Sequence, residues 1–354
     1  MEIDYLIIGQ GLAGSLLAWE LIQRQKKVIV IDNNQQNASL VAAGLINPVT
    51  GMRFVKNSNV DQLLPTAIQY YQQLAQYFQK DFYIEKPMLR LLRNDKEVTA
   101  CNKRFKDLAY NDYLSEILPE YSDIVASHGI VKQHRTGYLL TTPLLAALKS
   151  FFIEQNCFIE KQINYHDIKL CPALSWKQIK PKQIIFCEGH HAKYNPWFSA
   201  LPFQLVKGEI ISATASKKIQ PNILNYGHWF IPIDNYQFRT GASFDRENID
   251  TLISSEAKET LLNSLQRVYP SLSIDKLDKQ QAGIRPTTLD KMPFVGSHPK
   301  HPELVIFNGF GAKGSLQIPW HSQNLADHLL HKQAISASSD IFRYHSLLKI
   351  GRAH

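Results

Sequence analysis

The chain has 354 residues, of which 44% are hydrophobic, and its formal net charge is +8. This length suggests about two domains with a sizeable core. The sequence contains no run of the roughly 18 consecutive apolar residues that a membrane-spanning helix needs. Because we also read no signal peptide before the first strand, which begins almost at Met1, we expect a cytoplasmic protein.

Cysteine and charge patterns exclude several further classes of site. The four cysteines, Cys101, Cys157, Cys171 and Cys187, are widely spaced and form no Cys-x-x-Cys motif. We therefore expect no metal site and no disulfide framework. The positive charge is scattered and is mixed with acids in its densest stretch, which favours a solvated surface, with nucleic-acid contact as the alternative.

The N-terminal segment carries the first functional motif. An apolar run at residues 4–8 leads into Gly-x-Gly-x-x-Gly, formed by Gly9, Gly11 and Gly14. A helical pattern follows, and a second apolar run ends in Asp32. A strand, a glycine turn, a helix, a strand and an acid in this order predict a dinucleotide-binding unit.

Each part of this unit has a physical role. Gly9 permits a tight turn, Gly11 lets the backbone approach a pyrophosphate, and Gly14 allows close helix–strand packing. The N–H groups at the start of the helix attract phosphates. Asp32 can accept hydrogen bonds from ribose hydroxyls and would repel a 2′-phosphate, which favours FAD or NAD over NADP. The cofactor-binding residues predicted here are Gly9, Gly11, Leu12, Ala13, Gly14, Asp32 and Asn33.

Hydrophobic periodicity and the positions of Gly and Pro predict the elements that follow. We predict an amphipathic helix over 61–80, an apolar strand over 82–92 and an irregular segment with weak helical signals over 94–126. Thr142 as N-cap and Pro143 as first helical residue begin a further helix.

The second half of the chain alternates between strands and helices. Strands are predicted at 157–163, 183–187, 209–212, 229–232 and 237–241. Asp234-Asn235 suits a hairpin turn between the last two strands. A helix at about 255–267, a strand at 304–307 and a helix ending near Leu330 complete the predicted elements.

Two late motifs point to a family. Residues 283–296 read Gly-Ile-Arg-Pro-Thr-Thr-Leu-Asp-Lys-Met-Pro-Phe-Val-Gly, and residues 308–315 read Asn-Gly-Phe-Gly-Ala-Lys-Gly-Ser. Together with the N-terminal motif, they resemble the D-amino-acid oxidase superfamily of FAD enzymes. This group includes glycine oxidase, sarcosine oxidase and the oxidase domain that processes carboxymethylaminomethyl-uridine in tRNA. Segments 42–44, 184–189 and 229–240 match as well, so the resemblance spans nearly the whole chain.

The resemblance implies an α/β fold of two domains. One is a Rossmann-like FAD-binding domain of the glutathione-reductase-like type, expected at 1–60, 127–200 and 275–354. The interleaved substrate domain, built on a mostly antiparallel sheet, is expected at 61–126 and 201–274. The cofactor is expected to be FAD, held non-covalently, because sarcosine oxidase bonds its flavin to a late cysteine and no cysteine follows Cys187 here.

The resemblance also implies residue roles. Arg285 matches the arginine that holds the substrate carboxylate with two parallel hydrogen bonds; the alternative is a structural ion pair. Lys313 lies in the turn that follows the flavin's pyrimidine edge, where a cation would stabilise reduced flavin; the alternative is a solvent-exposed lysine. We predict both as catalytic residues. Further predicted cofactor-binding residues are Ala43, Gly44, Leu45, Ile163, Gly189, Gly309, Phe310, Gly311, Ala312, Lys313, Gly314 and Ser315.

The predicted substrate pocket departs from that of glycine oxidase. Trp229 stands where glycine oxidase has a tyrosine near the substrate carboxylate. His228 and Arg53 are further candidates for this pocket, with core or surface positions as the alternatives.

The function implied is oxidation of the C–N bond of an amine or amino acid. Hydride passes to flavin N5, the imine hydrolyses, and dioxygen is reduced to hydrogen peroxide. A small-molecule amine is the expected partner. One alternative is the tRNA oxidase branch, whose Gly-Leu-Gly-Ser-Arg-Gly resembles residues 309–314, although loop 43–51 differs and no methyltransferase domain is read. A second alternative is a flavin-binding subunit without turnover, which Arg285 argues against. The sequence predicts no oligomeric state.

Overall fold

The computed structural model describes residues 1–35, 37–57 and 59–349. The helices are α1 (Leu12–Gln23), α2 (Ala38–Val41), α3 (Val60–Phe78), α4 (Asp95–Phe105), α5 (Thr141–Glu154), α6 (Ser255–Val268), α7 (Gly314–His331) and α8 (His345–Lys349). Short 3₁₀ turns lie at Leu108–Tyr110, Tyr165–Asp167, Gly189–Tyr194, Gly311–Lys313 and Ile341–Tyr344. Within the described residues, no helix is long and apolar enough to cross a membrane.

The strands are β1 (Glu2–Ile8), β2 (Val28–Asp32), β3 (Leu45–Ile46), β4 (Val49–Thr50), β5 (Val55–Lys56), β6 (Tyr83–Glu85), β7 (Met88–Leu91), β8 (Leu114–Leu118), β9 (Ile130–Gln133), β10 (Gly137–Leu139), β11 (Phe158–Glu160), β12 (Ile168–Lys169), β13 (Ser175–Trp176), β14 (Lys180–Phe186), β15 (Phe203–Ala215), β16 (Ile223–Asn225), β17 (Trp229–Pro232), β18 (Gln237–Gly241), β19 (Ile274–Thr288), β20 (Phe294–Ser297) and β21 (Leu304–Asn308).

The chain divides into two compact units. Unit 1 comprises Met1–Ala42, Thr141–Val206 and Ile284–His354, and unit 2 comprises Ala43–Leu140 and Lys207–Gly283. These boundaries differ from the predicted domain boundaries, because residues 43–60, 127–140 and 275–283 belong to unit 2 and residues 201–206 belong to unit 1. The physical reason is strand pairing, since β10 pairs with β3 on one side and with β6 on the other.

Unit 1 is built on a six-stranded sheet with the order β11-β2-β1-β14-β21-β20. The first five strands in this order are parallel, and β20 runs antiparallel to β21. Parallel strands need helical crossovers, and α1 supplies the one between β1 and β2. All five parallel strands therefore present their carboxyl ends at one edge of the sheet, where ligands bind in folds of this type.

The two faces of the unit 1 sheet are both covered. Alternate side chains of the parallel strands, including Leu6, Ile29 and Ile184, belong to one buried apolar cluster. On the helical layer, α1 packs against α5 and α7, and the Trp19 and Phe151 rings meet at 5.1 Å between centroids. Double coverage explains why these strands read as continuous apolar runs in the sequence.

Unit 2 is built on an eight-stranded sheet with the order β19-β15-β18-β17-β16-β7-β9-β8. Neighbouring strands with a known register are antiparallel except for β16 and β7. This confirms the prediction of a mostly antiparallel sheet. One face, which includes Leu89, Phe230 and Phe238, packs against the buried face of α6 through Leu261 and Leu265.

Most predicted elements are present, with local corrections. The predicted strand over 82–92 is two strands, because Pro87 between β6 and β7 has no N–H to donate and the two strands join different sheets. The helix predicted to begin at Pro143 begins two residues earlier, at Thr141, and the Thr142 hydroxyl donates to the carbonyl of Leu40 at 3.3 Å. The strand predicted over 157–163 is limited to β11.

Candidate functional site

The three motif glycines have different packing environments. Gly9 has a φ of +105°, and a Cβ there would lie 2.5 Å from the carbonyl oxygen of Cys187. A Cβ on Gly14 would overlap the carbonyl oxygen of Gly9. By contrast, a Cβ on Gly11 would meet only the Ser39 hydroxyl, at 3.3 Å. Packing therefore requires glycine at positions 9 and 14, whereas the space beside Gly11 is available to a ligand.

The N-terminus of α1 has free hydrogen-bonding capacity. Gly11 is the N-cap and supplies no side-chain acceptor. The Leu12 N–H donates to the Ser39 hydroxyl at 3.0 Å. Among the described residues, the N–H groups of Ala13 and Gly14 find no acceptor. Exposed N–H groups at the positive end of a helix form an anion site.

Asp32 ends β2 next to this helix. One carboxylate oxygen accepts the Gln10 N–H at 2.7 Å, and the other accepts the Asn34 N–H at 2.7 Å. Because a carboxylate accepts about four hydrogen bonds, Asp32 has capacity left for hydroxyl donors. Asn33 bonds to Gln162 through its side-chain amide, at 2.5 Å, which places the end of β2 next to the segment that contains Ile163.

Asn308 and Gly189 connect the ends of β21 and β14. The buried Asn308 amide donates from Nδ2 to the carbonyl of Gly189 at 2.9 Å, and its Oδ1 accepts the N–H of Gly309 at 2.7 Å. A Cβ added to Gly189 would meet nothing within 4 Å. The carboxyl edge of the sheet therefore has a second open position, fixed by a buried side chain.

Glu188 lies just before Gly189 and is held from both sides. The Tyr165 hydroxyl donates to Oε1 at 2.7 Å, and the Asn195 amide donates to Oε2 at 2.8 Å. Burial raises the pKa of this carboxyl to about 7, against the lowering effect of the two hydrogen bonds. Glu188 therefore fixes the backbone around Gly189 through two neutral donors.

The predicted glycine turn follows β21 in the same unit. Gly309 has a φ of +84°, and a Cβ there would lie 2.7 Å from Cγ2 of Thr288. Phe310 is buried against the ring of Phe307, at 4.9 Å. The turn passes through Gly311 and the exposed Ala312 into α7, whose first residues are Gly314 and the buried Ser315.

Lys313 is the N-cap residue of α7. Its side chain is half-buried. Burial lowers the pKa of the Lys313 ammonium, and the nearby charge of Lys291 lowers it further. A cation at this position adds to the positive end of α7.

Arg285 lies in β19, and its guanidinium is half-buried. Burial lowers its pKa. In the described part of the chain, Arg285 has no hydrogen-bond or ion-pair partner, so the alternative of a structural ion pair finds no support there. A cation shielded from water without a counter-ion is unfavourable, and an anionic ligand would remove that cost.

Unit 2 holds the other predicted residues. Ala43, Leu45 and Trp229 all pack against one small buried cluster, which consists of Met88, Tyr138, Ile223 and Ile231. Gly44 has a φ of +71°, and its carbonyl accepts the Leu139 N–H at 2.9 Å. The structure thus brings the loop after residue 42 and the β17 tryptophan to the same face of the unit 2 sheet.

His228 and Arg53 have less defined surroundings. His228 Nδ1 lies 3.1 Å from the carbonyl oxygen of Ala242, and burial lowers its pKa. Arg53 is exposed, and its backbone carbonyl accepts Arg104 Nε at 3.3 Å.

Three residues at the unit 1 site were not assigned roles from the sequence. Ser39 contacts Leu12 across 27 positions of chain, and no local pattern signals that contact. Asn308 is a polar residue at the end of an otherwise apolar strand, which is a signal that sequence reasoning could have used. Glu188 gives the same signal at the end of β14.

Comparison with known proteins then decides the family. The family model described as "FAD dependent oxidoreductase" (DAO) matches residues 4–328. The chain belongs to the DAO family of FAD-dependent oxidoreductases.

Two groups of relatives in this family are similar to the chain. The tRNA 5-methylaminomethyl-2-thiouridine biosynthesis bifunctional protein MnmC of Marinobacter nauticus is 23% identical over 93% of this chain and 56% of its own length. The chain thus spans about half the length of these bifunctional relatives. Glycine oxidase of Pseudomonas putida is 20% identical over 95% of this chain and 96% of its own length.

Solved structures of DAO-family enzymes share the fold. Glycine oxidase from Geobacillus kaustophilus superposes with a TM-score of 0.82 at 19% identity, covering 97% of this chain and 98% of its own. Iminodiacetate oxidase from Chelativorans superposes with a TM-score of 0.79 at 19% identity, covering 96% and 98%. The two-domain α/β prediction is confirmed.

FAD is the cofactor of the DAO family, and the unit 1 residues fit its ADP half. The open side of Gly11 and the unpartnered N–H groups of Ala13 and Gly14 suit a pyrophosphate. The remaining acceptor capacity of Asp32 suits ribose hydroxyls. This fit rests on the chain's own unfilled hydrogen bonds.

Proposed function

We propose that this protein uses non-covalently bound FAD to oxidise the C–N bond of an N-substituted glycine, a secondary amine that carries a carboxylate. The observation that carries this proposal is Arg285, a half-buried guanidinium without a partner among the described residues. A guanidinium holds a carboxylate with two parallel hydrogen bonds, which fixes both position and orientation.

The residues around the glycine motif hold the cofactor in this proposal. Gly11, Ala13 and Gly14 bind the pyrophosphate, and Asp32 binds the ribose. Gly189 and the 309–315 turn lie at the ends of β14 and β21, where Asn308 fixes them relative to each other. When bound, FAD supplies a two-electron acceptor that takes a hydride from the carbon beside the amine, and dioxygen is the final acceptor.

Arg285 contributes by orientation rather than by proton transfer. Holding the carboxylate fixes the neighbouring carbon, so that the reacting C–H bond is presented in one direction. No side-chain base is needed if the amine reacts in its neutral form. The substrate leaves as an imine, and water cleaves this to an amine and glyoxylate.

Lys313 and the N-terminus of α7 supply positive charge in unit 1. In the proposal they stabilise the negative charge that the cofactor acquires on reduction. The lowered pKa of Lys313 follows from burial and from Lys291.

A second candidate substrate is a modified uridine in tRNA. Six of the relatives are bifunctional proteins of tRNA 5-methylaminomethyl-2-thiouridine biosynthesis. The carboxymethylaminomethyl group is itself an N-substituted glycine, so the same chemistry would serve both substrates. Gly309–Gly314, with Lys313 in the arginine position of that branch, favours this candidate.

Anaerobic reduction of the bound flavin tests the proposal. The purified protein is mixed with glycine, N-methylglycine, D-alanine, dimethylamine (which has no carboxylate) or tRNA that carries the carboxymethylaminomethyl group, and flavin bleaching is followed. We expect bleaching by an N-substituted glycine, free or in tRNA, and none by an amine without a carboxylate. Lys279→Ala, which removes an exposed cation from β19, the strand that also carries Arg285, is the matched control for Arg285→Ala. A protein without flavin, or a flavin that only carboxylate-free amines reduce, contradicts the proposal.

A further inference from the structure

A surface cavity in unit 2 has none of the predicted site residues in its lining. It has a volume of about 550 Å³ and lies beside the start of α3 and the turn Leu108–Tyr110. Its walls include Lys56, Pro65, Leu108, Tyr113 and Arg135. We call it the Tyr113 cavity.

Cations in the Tyr113 cavity are fixed on tyrosine faces. Lys56 Nζ lies 5.2 Å from the centroid of the Tyr113 ring, and the Arg135 guanidinium lies 5.8 Å from it. The Arg104 guanidinium lies 5.1 Å from the ring of Tyr110, which the Lys56 Nζ of the lining also faces at 6.0 Å. Both tyrosines are buried. Contact with a ring face restricts each cation without using up all of its N–H donors.

The cavity also has an apolar wall. Leu108 is 83% exposed, which is the largest exposure among the large apolar side chains that the structure describes. Pro65, in the first turns of α3, provides apolar surface as well. An exposed leucine beside basic groups offers a surface on which a planar, weakly polar ring can pack.

Two carboxylates complete the lining. Asp61 accepts the Tyr113 hydroxyl at 3.0 Å and pairs with Lys56 at 3.2 Å, and its side chain is still 71% exposed. Asp112 pairs with Arg135 at 2.8 Å and is 65% exposed. Each acid offsets one cation of the lining, and its exposed oxygens can accept hydrogen bonds from hydroxyl groups.

We propose that the Tyr113 cavity binds one nucleotide of single-stranded RNA. The phosphates contact Arg104 and Arg135, the base packs against Leu108 and Pro65, and the 2′-hydroxyl donates to Asp61 or Asp112. The inference rests on the tRNA form of the proposed function, for which it supplies a contact outside the reaction site. Cations, an apolar ring surface and hydroxyl acceptors in one cavity match the three parts of a ribonucleotide.

RNA binding tests this inference directly. Fluorescence anisotropy is measured for the FAD-loaded protein with a short fluorescein-labelled single-stranded RNA and with DNA of the same sequence. We expect Arg135→Ala to weaken RNA binding by about tenfold and to reduce the salt dependence by about one phosphate contact. We expect Leu108→Ser to weaken binding by on the order of threefold with an unchanged salt dependence.

The two carboxylates of the cavity predict that the protein binds RNA more tightly than DNA of the same sequence. The wild-type protein should prefer RNA, and Asp112→Ala should reduce that preference. Lys276→Ala is the matched control, because Lys276 is an exposed cation paired with Asp278 at 3.3 Å on β19, at the opposite edge of the same sheet. It should leave RNA affinity unchanged.

Two results would overturn the inference: equal affinities of the wild-type, Arg135→Ala and Leu108→Ser proteins for RNA, or an equal loss with Lys276→Ala. Circular dichroism of each variant shows whether it is folded. Flavin bleaching by free N-methylglycine and by the free carboxymethylaminomethyl-uridine nucleoside is measured on the same samples and reports on the proposed oxidation alone. Failure of bleaching with intact RNA binding, or the reverse, therefore shows which of the two proposals is wrong.

Discussion

Asn308 joins two strand ends that are 119 residues apart, since its Nδ2 donates to the carbonyl of Gly189 at 2.9 Å. The same amide accepts the N–H of Gly309 at 2.7 Å through Oδ1. Its side chain is buried, so these hydrogen bonds are protected from water. The relative position of the two glycine-containing loops in unit 1 thus depends on one side chain.

Removing this amide should loosen the loops. We expect Asn308→Ala to lower the free energy of unfolding by about 1–3 kcal/mol, because two buried hydrogen bonds lose their partner. FAD should also dissociate more readily, which flavin fluorescence after dilution measures. Asn308→Asp keeps the acceptor for Gly309 but places a buried carboxylate oxygen against the carbonyl of Gly189, so it should destabilise the protein at least as much as Asn308→Ala. Unchanged FAD retention in Asn308→Ala would show that the link does not serve the cofactor.

Two glycines of the N-terminal motif allow a paired test, because Gly14 is required for close packing and Gly11 for the space that a ligand would occupy. Gly14→Ala should destabilise the protein, because its Cβ would overlap the carbonyl oxygen of Gly9. Alanine normally stabilises a helix relative to glycine by about 1 kcal/mol, so a loss of stability in Gly14→Ala would be due to the clash. Thermal unfolding of the flavin-free protein measures this effect.

Gly11→Ala should behave differently. Its Cβ meets only Ser39 Oγ at 3.3 Å, so the flavin-free protein should keep its melting temperature. FAD binding should weaken by about tenfold, because the methyl group occupies the space beside the pyrophosphate. Titration of the flavin-free protein with FAD gives the affinity. Equal FAD affinities of Gly11→Ala and the wild type would argue against this position for the pyrophosphate.

Arg285 should control substrate affinity more than cofactor binding. Arg285→Ala is expected to raise KM for an N-substituted glycine on the order of a hundredfold, because it removes two charge-assisted hydrogen bonds to the substrate carboxylate. Arg285→Lys should recover part of this, since the charge remains but the fork is lost. Steady-state kinetics of both variants, with FAD content measured in parallel, provide the check. A KM that does not change in Arg285→Ala would exclude the carboxylate role.

Glu188 should make stability depend on pH. Burial raises its pKa from 4.5 to about 7, so between these values the folded protein holds a proton that the unfolded chain has released. Its contribution to stability is therefore full below pH 4.5 and is lost as the pH rises through 7. We expect the urea midpoint of the wild-type protein to fall across this window, and Glu188→Gln to remove this part of the fall.

The matched control for Glu188 is Glu154→Gln, which changes an exposed carboxylate at the end of α5. This variant should retain the pH profile of the wild type. The same fall in Glu188→Gln as in the wild type would mean that another group causes it.

The sequence predicted the local elements well where a periodic hydrophobic pattern is bounded by turn-forming residues. The hairpin of β17 and β18 has the predicted bounds, because strand alternation is followed by Asp234, whose Oδ1 accepts the N–H groups of Tyr236 and Gln237 at 2.7 Å. The strand–glycine–helix–strand unit at the N-terminus was predicted for the same reason. The late Arg-Pro and glycine motifs then led to the DAO family, which the family match confirms.

Local sequence patterns could not predict the contacts between segments that are distant in the chain. Three features depend on which strands pair. They are the contact of the Ser39 hydroxyl with the N-terminus of α1, the hydrogen bond from Asn308 to Gly189, and the membership of residues 43–60 and 127–140 in unit 2. Side-chain periodicity shows that a segment is a strand and which face is buried, but it carries no information about its neighbour. The sequence by itself thus determined the elements, the motifs and the cofactor class. Only the tertiary structure decided which polar groups meet, because hydrogen bonds across more than a hundred residues follow from strand order.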